Sequence, residues 1–275
     1  MITKNAINQF RRQLYENEKS PATICKYVHE VMNLCKFLKG KDLSKTLLLT
    51  YRESLRQQYR AQTVNGKLSA INAFLEYEQK SDYKIKLFKI QHRACTDERR
   101  ELSQTEYKRL LHAAKSNNPR LYYILMTITG TGIRISELKY ITTESAKLRR
   151  AEISMKGKNR TVLIPKILAS HLLTYAKQNG IQSGCIFISR SGKPLDRSNI
   201  CHDMKKLCAH AGVQPDKVFP HNLRHLFART FYALEKNLAH LADILGHSSV
   251  ETTRIYIATS AREHEVTLNK MRLIC

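Results

Sequence analysis

Residues 220–257 read PHNLRHLFARTFYALEKNLAHLADILGHSSVETTRIYI. The stretch lies in a region that reads as helical from about residue 196 onward, and it concentrates polar groups suited to chemistry. His221 and Arg224 stand three apart, Leu245-Gly246-His247 follows, and Tyr256 comes nine residues after His247. Taken singly, each has an ordinary reading. A tyrosine in RIYI suits the edge of an apolar core with its hydroxyl in water. His221 and His225 are spaced i, i+4, which places both on one face of a helix. That spacing invites a zinc hydrolase, but Asn222 stands where the H-E-x-x-H chemistry needs a glutamate as base.

Moving toward the N-terminus, two further words stand out. One is GTGIRISEL (130–138), which carries Arg134 after a glycine turn. Glu137, one helical turn on, is placed to buttress that arginine or cap nearby backbone. The other is MKGKNRTVLIP (155–165), where residues 151–155 and 160–164 have strand character around the basic turn Lys156-Gly157-Lys158-Asn159. Pro119 opens a helix that ends at the Gly130-Thr-Gly132 turn, residues 166–178 return to helix, and Cys185–Ser189 read as a brief strand. Leu102-Ser103-Gln104-Thr105-Glu106 is a capping box with a hydrophobic staple, so a domain begins near residue 101.

The first 85 residues form a separate helical domain. Ser20-Pro21 caps a helix whose apolar residues Ile24, Val28, Val31, Leu34, Cys35 and Leu38 recur at helical spacing until Gly40. A helix over about 45–60 follows. Thr63 then caps another, with Val64, Leu68, Ile71, Phe74 and Leu75 on its apolar face, making four amphipathic helices in all. Residues 86–100 are charged and weakly periodic, a linker to a second domain at 101–275. The expected class is mainly α with a small β-sheet.

Composition narrows the function. The 275 residues carry 47 Lys and Arg against 23 Asp and Glu, a formal charge of +24, and 42% are hydrophobic. A packed core is therefore affordable, and a disordered basic tail is excluded. The surplus is shared: residues 1–100 hold 20 basic and 10 acidic side chains, the rest 27 and 13. A long polyanion touched by both halves explains this, with Lys and Arg displacing counterions from phosphates. Solvated charge on a generally basic protein is the plain alternative. Seven cysteines, with no Cys-x-x-Cys, match no zinc site or disulfide framework. The polar N-terminus and the lack of any run near the ~20 apolar residues of a membrane helix read as a cytoplasmic protein with no membrane partner.

In order and in local wording, GTGIRISEL, MKGKNRTVLIP, PHNLRH and LGHSSVETTRIYI resemble the active-site series of the tyrosine recombinases, the phage integrase family. TVNGKLSAINAFLEYE (63–78) resembles that family's core-binding helix, so the likeness covers nearly the whole chain. It implies a helical core-binding domain and a catalytic domain closing as a clamp on double-stranded DNA. It also implies cleavage by a tyrosine oxygen through a 3′-phosphotyrosyl link, with neither cofactor nor nuclease metal. The catalytic residues implied are Arg134, Lys156, His221, Arg224, His247 and Tyr256. The lysine turn is one residue shorter than common versions, which leaves Lys158 as the alternative acid.

The residue types suit that chemistry. Guanidinium forks match phosphate oxygens and stay charged near pH 7. Fixed cations stabilise the charge that develops on those oxygens. A phenol of unperturbed pKa ~10 must shed its proton during attack, and a lysine can protonate the leaving oxygen. The resemblance further implies four protomers on two DNA sites and, in some members, an accessory directionality factor. Apolar residues Val266, Leu268, Met271, Leu273 and Ile274 suit a tail docked on a neighbour or on its own domain. The early start of the core-binding domain suggests a compact member without an arm-site domain, an integrase of a mobile element. The alternatives are a Xer-like resolvase, an inversion enzyme, a DNA-binding accessory protein without strand exchange, and a type IB topoisomerase-like enzyme.

Overall fold

The computed structural model describes residues 2–90, 100–155, 158–247 and 249–257, apart from the side chains of 155, 158, 251 and 255–257. The chain divides into two compact units, Met1–His92 and Arg93–Cys275. Helices dominate, with one two-stranded antiparallel sheet, in agreement with the expected class. No helix among the described residues is long and apolar enough to cross a membrane. The tail residues 266–274 lie outside the described residues.

The first unit holds α1 (Lys4–Glu16), α2 (Pro21–Leu38), α3 (Lys45–Gln58) and α4 (Ala61–Tyr77). Ser20 caps α2 with Pro21 at its first position, and the helix ends as Lys39 and Gly40 turn left-handed. Two apolar clusters fill the unit. Leu34, Leu48, Leu68 and Ile71 centre one; Phe10, Val31 and Phe74 centre the other, with Phe10 and Phe74 edge to face at 5.2 Å. The expected cap at Thr63 is not used. The helix starts three residues earlier, after Arg60, which turns the chain in extended backbone without a side-chain cap.

Two asparagines a heptad apart on α4 strap the segment that leaves the unit. Asn72 exchanges two hydrogen bonds of 2.9 Å with the Ile85 backbone, and Asn65 does the same with Phe88 at 2.8 and 2.9 Å. Arg52 and Arg56 stack over the Phe88 ring. Side-chain amides here imitate a strand partner, satisfying backbone groups that no helix or sheet serves.

The second unit begins with α5 (Gln104–Asn117), where Ser103 and Glu106 form the capping box and Leu102 is fully buried. Next come α6 (Pro119–Thr131), a 3₁₀ segment at Ile135–Tyr140 and α7 (Thr143–Leu148). β1 (Arg150–Met155) and β2 (Lys158–Leu163) pair with Ala151 opposite Val162 and Ile153 opposite Arg160. The remaining helices are α8 (Lys166–Gln178), α9 (Arg197–Ala211), α10 (Pro220–Glu235), α11 (Leu238–Leu245) and α12 (Val250–Ile257). One large core joins α5–α10 and the sheet.

The brief strand expected at 185–189 does not form. Cys185 makes a single bridge to Thr142 and Ile188 one to Pro194. α7 begins at Thr143, so the partner chain coils away after one residue, and the 189–193 turn closes the other side.

In the first unit, Lys67 of α4 donates to both oxygens of Glu30 on α2, at 3.0 and 2.9 Å, with both side chains largely buried. Lys67→Ala strands a buried carboxylate and should destabilise the protein by about 3 kcal/mol in urea unfolding. The Glu30→Gln, Lys67→Met double variant should lose much less. Equal losses would show that the charge pairing is not what matters there.

Candidate active site

The site is built where the turns after α6 and α11 meet the first two turns of α10. α6 ends at Gly132, which is left-handed at φ 65°. A side chain there would bring a Cβ within 2.5 Å of the Phe227 ring, so both the turn and the space call for glycine. Two residues on, Arg134 exposes part of its side chain. Glu137, almost wholly buried, performs both roles expected of it. Its carboxylate accepts the Arg134 backbone N–H at 2.7 Å and the Arg134 guanidinium Nη1 at 3.0 Å.

Arg224 is only 1% exposed, on the second turn of α10. Its Nη1 donates to the Gly132 carbonyl at 2.6 Å and its Nη2 to the Leu245 carbonyl at 2.7 Å. Both acceptors sit at helix C-termini, of α6 and α11, where aligned peptide dipoles leave partial negative charge. Nη2 also reaches His247 Nε2 at 2.9 Å. A guanidinium has no acceptor, so Nε2 must accept and the proton of His247 resides on Nδ1. That Nδ1–H donates to Thr253 Oγ1 at 2.8 Å. Thr253 is fully buried on α12, three residues before Tyr256.

His221 lies exposed in the first turn of α10, with the His225 ring edge to face at 4.9 Å. Partial desolvation of its ring by the surrounding side chains pushes the His221 pKa down, and the charges of Arg224, Arg134 and Arg197 push it further. His247 falls to about 4, again through burial first and then Arg224, Arg134, Arg160 and His221. His225 falls to about 4 by burial, with His221 and Arg224 adding to it. Among the described residues no three His, Cys, Asp or Glu side chains gather as metal ligands. Asn222, in the position a zinc hydrolase gives to glutamate, is buried and donates to the carbonyls of Arg100 and Lys217.

Four of the six expected residues, Arg134, His221, Arg224 and His247, thus form one cluster. Tyr256 lies on α12, its side chain outside the described residues, and Lys156 lies outside them entirely. Lys158 opens β2. Two members of the network were not singled out from the sequence. One is Thr253. The other is Arg160, which donates to Glu137 Oε2 at 2.6 Å, to the Ile244 carbonyl at 3.4 Å and to the Leu245 carbonyl. The signal for Arg160 was the alternation of β2, where 160 shares the inward face with Val162 and Ile164. For Thr253 there was only a polar residue in a short helix.

The cluster is a cationic pocket with neutral imidazoles, suited to an anion such as a phosphodiester. Comparison with known proteins agrees. Residues 100–263 match the Phage integrase family, and residues 7–80 match the Phage integrase, N-terminal SAM-like domain. The tyrosine recombinase XerA of Thermococcus kodakarensis is 28% identical over 278 residues, covering 98% of this chain and 95% of the relative. The tyrosine recombinase XerH of Campylobacter jejuni is 30% identical over 253 residues, covering 84% and 72%. Two solved structures share the fold. One is a lambda integrase dimer bound to a COC′ core site (TM-score 0.74, 16% identity, 93% of this chain and 95% of that one). The other is XerH bound to a difH substrate (TM-score 0.70, 17% identity, 97% and 89%). The chain belongs to the phage integrase family, the tyrosine recombinases. Its activity is accordingly the site-specific breakage and rejoining of DNA.

The half-buried imidazoles of His225 and His247 make stability depend on pH. Their folded pKa values lie below the ordinary 6.5, so the unfolded chain takes up protons first as pH falls. The stabilisation is complete above pH 6.5 and is lost as pH falls toward 4. The denaturation midpoint should drop across that window, and His225→Gln should flatten the drop. An unchanged slope in that variant would refute the assignment.

Proposed function

We propose that this recombinase cuts DNA with Tyr256. The phenolic oxygen attacks the scissile phosphorus, the P–O5′ bond breaks, and a 3′-phosphotyrosyl link conserves the bond energy for rejoining. Arg134 and Arg224 hold the nonbridging oxygens as charge builds on them, and Arg224 does so from an orientation already locked by two carbonyls. His221, neutral at pH 7, accepts the phenolic proton. His247 orients Arg224 and the phosphate. Lys156 delivers a proton to the departing 5′ oxygen, with Lys158 the alternative. The observation that carries this reading is the convergence of Arg134, His221, Arg224 and His247 beside the helix that bears Tyr256.

Residues 1–85 act as the second arm of a DNA clamp, joined through 86–100 to a catalytic domain at 101–275. Four protomers assemble on two sites, a reading supported by the solved lambda integrase tetramer on a Holliday junction. We assign the enzyme to integration and excision of a mobile element, with a directionality factor as a further partner. A Xer-like resolvase is the second reading, favoured by relatives bearing that name over most of the chain. Mapping the cleavage sites separates them. Sites flanking a segment that carries the gene support the first, and a single chromosomal or plasmid site supports the second.

The test is an SDS-resistant protein–DNA adduct formed in EDTA without ATP on nicked duplexes from DNA flanking the gene. The adduct should map to Tyr256 and a 3′ phosphate. Tyr256→Phe should bind the same DNA and form none; retained adduct would move the nucleophile elsewhere. Arg134→Ala and Arg224→Ala should each slow cleavage by about 100-fold or more, as loss of a transition-state donor does.

A further inference from the structure

Arg160 occupies an unusual place for an arginine. It sits on the inward face of β2, opposite Ile153, with its side chain largely buried. Nη2 is held by Glu137, whose other oxygen holds Arg134. Nη1 is held by the carbonyls of Ile244 and Leu245, the latter shared with Arg224. The side chain passes so close to Gly246 that a Cβ there would lie 2.4 Å from Arg160 Cδ. One side chain therefore ties the hairpin to the Arg134 loop and to the turn before His247.

β1 ends at Met155 and β2 begins at Lys158, and Lys156 falls between the two strands in the sequence. We propose that Arg160 is a positioning residue for that lysine, fixing the hairpin in register with the arginines and histidines that hold the phosphate. This rests on the reading of the turn lysine as general acid. Arg160 pins β2 two residues beyond its start, next along the chain to the lysines proposed to serve as the acid. A misplacement of about 1 Å at such a group costs on the order of 100-fold in rate. The glycine at 246 then has a role beyond its left-handed turn, since it gives the Arg160 side chain its channel.

The experiment compares cleavage of oxygen substrates with substrates bearing a 5′-bridging sulfur, whose thiolate leaves with little need of a proton. Arg160→Ala should bind site DNA like the parent and cleave the oxygen substrate about 100-fold more slowly. On the sulfur substrate it should cleave near the parent rate. Arg160→Lys keeps the charge toward Glu137 but lacks the fork, so it should fold and show the same selective loss in milder form. A general loss of stability slows both substrates alike. Equal slowing on oxygen and sulfur in both variants would overturn the proposal. Lys156→Ala and Lys158→Ala run beside them as controls. Sulfur rescue of a lysine variant without rescue of Arg160 defeats the positioning role alone. Rescue of neither lysine defeats the acid assignment, and the proposal falls with it.

Discussion

A guanidinium has been taken out of water at Arg224, and much of the second unit is arranged around keeping it there. A charge that deeply placed needs compensation close at hand. The carbonyls of Gly132 and Leu245 provide it from two helix C-termini. Each of those helices ends in a left-handed glycine, Gly132 and Gly246, and each glycine also makes room for a neighbouring side chain, Phe227 or Arg160. The loops that present Arg134 and His247 are therefore set by how one buried cation is solvated. Such an arrangement suits an anion, because donors fixed beforehand need not reorganise when charge develops.

The second organising group is the buried carboxylate of Glu137, shared between Arg134 and Arg160. It spreads one negative charge over two guanidinium groups and leaves the pocket cationic. That surplus, together with partial desolvation, lowers the pKa values of His221 and His247 and favours their neutral forms. Neutral imidazole can accept a proton, and here it also accepts a hydrogen bond from Arg224 while passing one to Thr253. Arg224 and His247 are thereby connected to the helix of Tyr256 through hydrogen bonds whose directions are dictated by which partner lacks an acceptor.

Much of this was legible beforehand. Ser20-Pro21 and the Ser103–Glu106 box signalled helix starts because capping is local chemistry, decided within four residues. The basic hairpin followed from alternation, and Glu137 from its spacing to Arg134. The cap assigned to Thr63 and the strand at 185–189 were misread for one reason. Thr63 lies inside α4, which starts after Arg60, and Cys185 finds only one paired residue before α7 turns its partner away. Both outcomes depend on neighbours outside the local window.

By itself, the sequence determined the mainly helical class, the two basic halves and the residue types of the site, since propensity, periodicity and charge are properties of short stretches. Only the tertiary structure decided that Arg224 is buried while Arg134 is exposed, that Arg160 and Thr253 belong to the same network, and which nitrogen of His247 carries the proton. Those facts turn on contacts between residues as far apart as 132 and 224 or 160 and 245. Burial and hydrogen-bond partners across such distances exist only once the chain has closed around its core.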